Sequence, residues 1–421
     1  MSGAGGPGPG GRPEGGRPGA DRARSESEPG GAGGPGPGGR AEGGRPGADR
    51  ARSESDPGGA GGQDPADAGR RPVRVLIVDD SRLHRAAFRA LLERAPGLEV
   101  AGAVADGLEA VEAVTRLRPD VLLMDVRMPG VDGLEATRRI MAERPTPILL
   151  MTAQDNLDKE VGLALRALEL GALDLIAKPE LAVTDAAAGQ RLVARLRLLA
   201  GVPVISHPHG RRRPRPPAAE GEDPGLAKTT FHRRAGRIVV VAASTGGPSA
   251  LKALLAGLPG SLPAAVVVVQ HIDASFHDGL VRWLDEETPL TVVTPIDGQD
   301  LHMGSVYLAP QRRYCEVTER RRLALVTEPF GAGQHCPSGD RLFESAARAY
   351  GGKAVGVVLT GMGDDGARGL LALQRAGAPT IAQDEATSVI YGMPRAAAEL
   401  GAADRVLPLE RIAPAIVELL A

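Results

Sequence analysis

The chain has 421 residues, which points to more than one domain, and its 42% hydrophobic content is enough for ordinary buried cores. With 50 basic against 52 acidic residues the net charge is −2, which argues against a protein that coats nucleic acid. Two cysteines, Cys315 and Cys336, exclude a disulfide framework or a cysteine-built metal cluster. The lack of an apolar signal core, or of any run of ~18 apolar residues, points to a cytoplasmic protein without a membrane span.

Residues 1–71 are low in complexity. Gly3–Gly34 recurs at Gly31–Gly62 with a period of 28 residues, and only Pro13 against Ala41 and Glu28 against Asp56 differ. The unit is Gly, Pro, Arg, Glu and Ser, with no apolar face to bury, so a disordered tail is expected rather than a solenoid.

Residues 72–200 alternate strand and helix patterns. Val73–Val78, Leu98–Val104, Val121–Met124, Pro147–Leu150 and Ala172–Ala177 are predicted strands. Arg82–Ala95, Leu108–Leu117, Gly133–Glu143, Leu157–Leu170 and Ala186–Ala200 are predicted helices. Five strands alternating with five helices make a doubly wound, five-stranded parallel sheet. Asp79 and Asp80 end the first strand, Asp125 follows the third, Thr152 the fourth and Lys178 the fifth. Ligands of open parallel sheets bind outside the carboxyl ends of the strands, so these residues should meet at one edge. Carboxylates that would otherwise repel suit a hard cation such as Mg²⁺. Asp125 could then accept a phosphoryl group, with Lys178 offsetting the developing charge and Thr152 bonding a phosphoryl oxygen.

Residues 201–235 are a second break. His207–Pro217 (HPHGRRRPRPP) is basic and Pro-rich without interleaved aromatics, which predicts an extended linker. Residues 236–421 form a second, Rossmann-like α/β domain. Three Val-rich runs there stop at residues fit for catalysis: Arg237–Ala243 at Ser244, Ala264–Gln270 at His271, and Ala354–Leu359 at the loop holding Asp364 and Asp365. A Ser, a His and an Asp on one sheet edge are the inventory for nucleophilic acyl transfer. Pro248 opens a predicted helix Ser249–Leu258, which sets Ser244 near a helix N-terminus that favours negative charge. Either Asp364 or Asp365 could orient the imidazole.

The segment VLIVDDS…LLMDVRMPGVDG…LLMTA…DLIAKP resembles the response-regulator receiver family. That resemblance implies Asp125 as the phosphorylated residue, with Asp79, Asp80 and Asp125 and the Arg127 backbone as Mg²⁺ ligands. It implies that Lys178 contacts the phosphoryl group. The family's frequent aromatic three positions before the Lys is Leu175 here, so a switch by an aromatic rotamer is not expected. VAASTGGP, VVQHI, VLTGMGDDGARG and AQDEATSVIYGMPRAA resemble the chemotaxis protein-glutamate methylesterase family. That likeness implies Ser244 as nucleophile, His271 as base and Asp365, rather than Asp364, as third member. Met362 and Thr245 match residues that pack near the triad. It also implies an esterase domain without cofactor, acting on methylated chemoreceptors, with a sensor histidine kinase as phosphodonor. Glutamine deamidation is a further activity of some members. Arg312 and Tyr314 stand where the family often has Asp and His, and Cys336 where Arg is common. These departures bear on receptor selectivity. The competing readings are a receptor-binding or nucleotide-binding module without esterase activity and a DNA-binding regulator. No G-x-G-x-x-G follows Val241, and no basic helix-turn-helix is found.

Overall fold

A computed structural model of the chain describes residues 71–152, 157–178, 186–204, 233–329 and 335–421. The repeat tail, apart from its last residue, and most of the linker lie outside the described residues. The first sheet is built from β1 (Val73–Val78), β2 (Leu98–Val104), β3 (Val121–Asp125), β4 (Ile148–Thr152) and β5 (Asp174–Ala177). The helices between and after them are α1 (Arg82–Glu93), α2 (Gly107–Leu117), α3 (Gly133–Glu143), α4 (Leu157–Glu169) and α5 (Ala186–Leu199). All pairings are parallel, in the order β2-β1-β3-β4-β5. The order reverses between β1 and β3, which places Asp79 and Asp125 at the crevice where such sheets bind ligands.

The helix starts follow local chemistry. Ser81, Asp106 and Asp132 cap α1, α2 and α3, each accepting a hydrogen bond from the backbone N–H three residues on. β3 and β4 are buried along their whole length, as central parallel strands covered on both faces require.

The second sheet has seven strands. In chain order the elements are β6 (Ile238–Ala243), α6 (Gly247–Ala256), β7 (Ala265–Gln270), α7 (His277–Glu287), β8 (Thr291–Val293) and β9 (Ser305–Leu308). A hairpin of β10 (Tyr314–Val317) and β11 (Leu323–Val326) follows, then α8 (Gly339–Tyr350), β12 (Ala354–Val358), α9 (Ala367–Arg375) and β13 (Thr380–Gln383). The chain closes with α10 (Met393–Glu399), β14 (Arg405–Leu407) and α11 (Leu409–Leu420). The sheet order is β14-β13-β12-β6-β7-β9-β8, again all parallel. Its direction reverses between β12 and β6. The loops after β6, β7 and β12, which carry Ser244, His271 and Asp365, therefore open on that switch point. α6 starts at Gly247, two residues earlier than its apolar spacing predicts. The left-handed Gly246 (φ 78°) ends the turn after Ser244, and Pro248 fits the first helical turn without an N–H to lose.

The two sheets share packing. Ala164, Leu165 and Leu168 of α4 belong to the same contiguous buried apolar cluster as Phe276, Leu280 and Leu284 of the second half. Each leucine or phenylalanine among them contributes about 1.5–3 kcal/mol relative to exposure, so this contact is more than incidental touching.

Candidate active site and phosphoryl-acceptor site

At the first edge, ligand oxygens of Asp79, Asp80 and Asp125 lie within 4.8 Å of one another; Asp79 and Asp125 are buried and Asp80 is exposed. Lys178 Nζ stands 2.9 Å from Asp79 Oδ2 and 2.5 Å from Asp125 Oδ2. Burial opposes the lysine's charge, but its two carboxylate partners outweigh burial and raise its pKa. Burial, helped by Asp79, pushes the Asp125 carboxyl up to about 6, against the pull of Lys178 and the Arg127 N–H. Two buried acids and one exposed acid around a single ammonium leave an excess of negative charge. A set of hard oxygens open to water on one side fits Mg²⁺. Thr152, also buried, ends β4 beside Lys178, whose N–H donates to the Thr152 carbonyl at 2.8 Å. All five residues expected at this edge are thus brought together.

At the second edge, Ser244 directly follows β6 and is buried. Its N–H donates to the Thr360 carbonyl at 3.0 Å, and its own carbonyl accepts the Gly247 N–H at 2.8 Å. Gly361 makes this approach possible. A Cβ there would lie 2.7 Å from the Ser244 Cβ and 2.3 Å from the Met393 sulfur. His271 follows β7, and its Nε2 pairs with Asp365 Oδ2 at 2.9 Å. His271 Nδ1 is buried without a hydrogen-bond partner among the described residues, so it is the nitrogen left for a proton from a nucleophile.

Asp365 is held by the N-terminus of α8. Its oxygens accept the Ser338 hydroxyl at 2.9 Å, the Gly339 N–H at 2.6 Å and the Asp340 N–H at 3.1 Å. Burial alone would raise this carboxyl. Its contacts with His271, Gly339 and Asp340 prevail and leave it at about 2. It is therefore ionised throughout the working range and keeps the Nε2 proton of His271 in place. In exchange, Asp340 accepts the N–H groups of Gly366 and Gly369 at the start of α9, at 2.9 and 2.8 Å. The two acids thus brace each other's helix starts. The neighbouring Asp364 is exposed and takes no part in this bracing.

Sequence reasoning missed Gln270. Its buried amide nitrogen donates to the carbonyls of Ser244 at 2.8 Å and His271 at 3.0 Å, tying the Ser244 loop to the His271 loop. A polar residue closing an all-apolar strand was the only signal. Tyr314, one of the departures from the family pattern, carries the Arg341 guanidinium 3.9 Å from its ring centroid. Arg341 is further paired with Glu316 and Glu328.

The first half lies against the second beside this edge. Arg195 Nη2 of α5 donates to Thr245 Oγ1 at 3.3 Å, and Arg195 Nε pairs with Asp174 at 3.0 Å. Lys252 of α6 binds Glu169 of α4 and, at 2.8 Å, Glu287 of α7. A cleft of about 980 Å³ remains between Leu198 and Val202 on one side and Met362, Asp364, Val389 and Tyr391 on the other. No helix among the described residues is long and apolar enough to cross a membrane.

The family model of the CheB methylesterase matches residues 239–416, and that of the response regulator receiver domain matches residues 75–185. A protein-glutamate methylesterase/protein-glutamine glutaminase of Anaeromyxobacter dehalogenans is 46% identical over 351 residues, covering 83% of this chain and 98% of its own. One of Myxococcus xanthus is 43% identical, covering 83% and 94%. Among solved structures, the CheB methylesterase catalytic domain of Thermotoga maritima is similar at 36% identity. It covers 44% of this chain and 99% of its own, with a TM-score of 0.42. With a receiver domain ahead of a methylesterase domain, and identity of this order over nearly the full length of its relatives, the chain belongs to the CheB methylesterase family of response regulators.

Proposed function

We propose that the chain hydrolyses glutamate γ-methyl esters on chemoreceptors, with Ser244 as nucleophile, His271 as base and Asp365 as the acid that orients it. The observation that carries this reading is the His271–Asp365 pair, with its free Nδ1, at the switch-point edge where Ser244 follows β6. Ser244 Oγ attacks the ester carbonyl while its proton passes to His271 Nδ1. The oxyanion develops beside the N-terminus of α6, whose dipole favours negative charge. The tetrahedral intermediate expels methanol, which takes the proton back from the imidazolium. Water, deprotonated by His271, then cleaves the acyl-enzyme and restores glutamate and Ser244. An amide substrate would follow the same course with ammonia leaving, which fits the glutaminase half of the relatives' names.

The proposed units are a receiver over 72–200, a linker over 201–235, an esterase domain over 236–421, and a tail over 1–71. Phosphorylation of Asp125 by a sensor histidine kinase would govern access. Mg²⁺ would be held by Asp79, Asp80 and Asp125 and would neutralise phosphoryl charge, while Lys178 and Thr152 contact the group. In the resting state, Arg195 occupies the Thr245 hydroxyl next to the nucleophile, and α4 covers α6 and α7. A receptor helix is about 10–12 Å across and needs that space, so the contact must loosen before substrate enters. The proposed setting is the cytoplasm, and no cofactor is assigned to the esterase domain. The direct test is methanol release from a methylated receptor fragment by the full chain with Mg²⁺ and acetyl phosphate. A folded chain that binds the fragment and releases no methanol would be a receptor-binding module instead.

A further inference from the structure

The ring of His335 lies flat against that of His271, with centroids 4.4 Å apart and planes 13° from parallel. The reaction outlined above makes no use of it. Asp365 holds the His271 ring at its Nε2 edge, and Nδ1 must be left clear for Ser244. What remains of the ring is its two faces, and one of them is covered by His335, which is itself exposed. His335 also sits just ahead of Ser338, the residue whose hydroxyl binds Asp365, so one short segment supplies both the acid's partner and the stacked ring.

We propose that His335 is a positioning residue for the base: as a neutral ring stacked on His271, it fixes the imidazole plane and favours the imidazolium over the imidazole. The inference rests on the esterase reading. A cation laid on a neutral π face is attracted to it, whereas a neutral ring gains less. His271 becomes a cation only as Ser244 attacks. The stack is therefore strongest in the transition state, and such an interaction raises kcat without lowering KM.

The arrangement functions in one charge state of His335. A second positive charge 4.4 Å from His271 would oppose formation of the imidazolium. The titratable groups facing His335 are His271, Asp365, Asp364 and Asp340. Although much of the residue is exposed, the desolvation of its ring against the site comes first and the charge of His271 second in holding its pKa below the usual histidine range, and the three carboxylates only partly counter them. His335 is thus neutral at neutral pH and becomes charged only in acid, where it adds its own ionisation to that of the base.

The experiment measures kcat and KM against pH for methyl-ester hydrolysis by the full chain with Mg²⁺ and acetyl phosphate. It compares wild type, His335→Ala and His335→Phe, each first checked for an unchanged thermal midpoint. His335→Ala should lose about tenfold in kcat, with KM within about twofold of wild type. His335→Phe keeps a π face and cannot titrate. It should regain most of kcat, and its acid limb should follow one ionisation where wild type follows two. Wild-type kcat in His335→Ala, a loss confined to KM, or a Phe variant as slow as the Ala variant overturns the inference and leaves the esterase reading intact. A wild type that releases no methanol overturns both.

Discussion

Replacing Asp365 by Asn removes the charge at the most densely bonded point of the site. The carboxylate accepts four hydrogen bonds, from His271, Ser338, Gly339 and Asp340. An amide of the same shape has one accepting oxygen and one NH₂. His271 Nε2 and the Gly339 N–H share Oδ2, while the Ser338 hydroxyl and the Asp340 N–H share Oδ1, so an NH₂ at either place faces a backbone N–H, and at the Oδ2 place it also faces His271 Nε2. That contact selects the tautomer with its proton on Nδ1, the nitrogen needed to accept the proton of Ser244. On this reasoning kcat falls by ~10³–10⁴-fold, the scale seen when a triad acid is made neutral. Stability changes as well. Although burial opposes ionisation, the carboxyl is held at about 2 against an ordinary 3.8. A depressed acid of this kind contributes roughly 2–3 kcal/mol above pH 4. That contribution is lost as pH falls through about 2. Methanol release and urea melts between pH 7 and pH 2 measure both effects, with Asp364→Asn as control. The exposed Asp364 should cost no more than about 0.5 kcal/mol and little activity. If Asp364→Asn is the slower enzyme, or if Asp365→Asn shows the wild-type acid dependence, the reasoning is refuted.

Gating can be probed from both halves. Acetyl phosphate with Mg²⁺ should accelerate wild type and leave Asp125→Asn unchanged, and EDTA should remove the acceleration; equal response of wild type and mutant would disconnect Asp125 from control. Lys252→Ala breaks the bridge to Glu169, a partly exposed pair worth about 0.5–1 kcal/mol, so the unphosphorylated rate should rise roughly two- to fivefold. A fall in that rate would show that the contact supports catalysis rather than restrains it. Deleting residues 1–70 should leave the thermal midpoint and the esterase rate unaltered, because the repeat unit has no apolar face to bury.

The strands were legible because burial on both faces demands unbroken apolar runs. β1, with Val73–Val78, and β7, with Ala265–Gln270, stand within one residue of their expected bounds. Strand ends then carry the sites with them, since a parallel sheet puts all its carboxyl ends on one edge. The start of α6 was misjudged by two residues, because Gly246 and Gly247 read as loop. In the structure Gly247 is forced by space, as a Cβ there would lie 2.0 Å from Gln270 Oε1. Strand ends alone leave Asp364 and Asp365 open, and only the family resemblance points to Asp365; the physical basis of that choice is not local. It depends on where the start of α8 falls, a contact between segments far apart in the chain. Gln270 and His335 were hidden for the same reason. An amide bridging two loops and a ring stacked on another ring leave no periodicity behind. The short strands β8, β9, β10 and β11 carry too few residues for alternation to show.

The central claim is that Ser244 and His271 form one catalytic unit. Methanol release should be measured for Ser244→Ala, for His271→Ala and for the double variant, each with acetyl phosphate and Mg²⁺ and each shown to be folded. Groups that act together lose their effect together. Each single change should therefore abolish measurable turnover, and the double variant should be no worse than either alone. Near-normal release by folded Ser244→Ala, or losses that multiply in the double variant, would contradict the account.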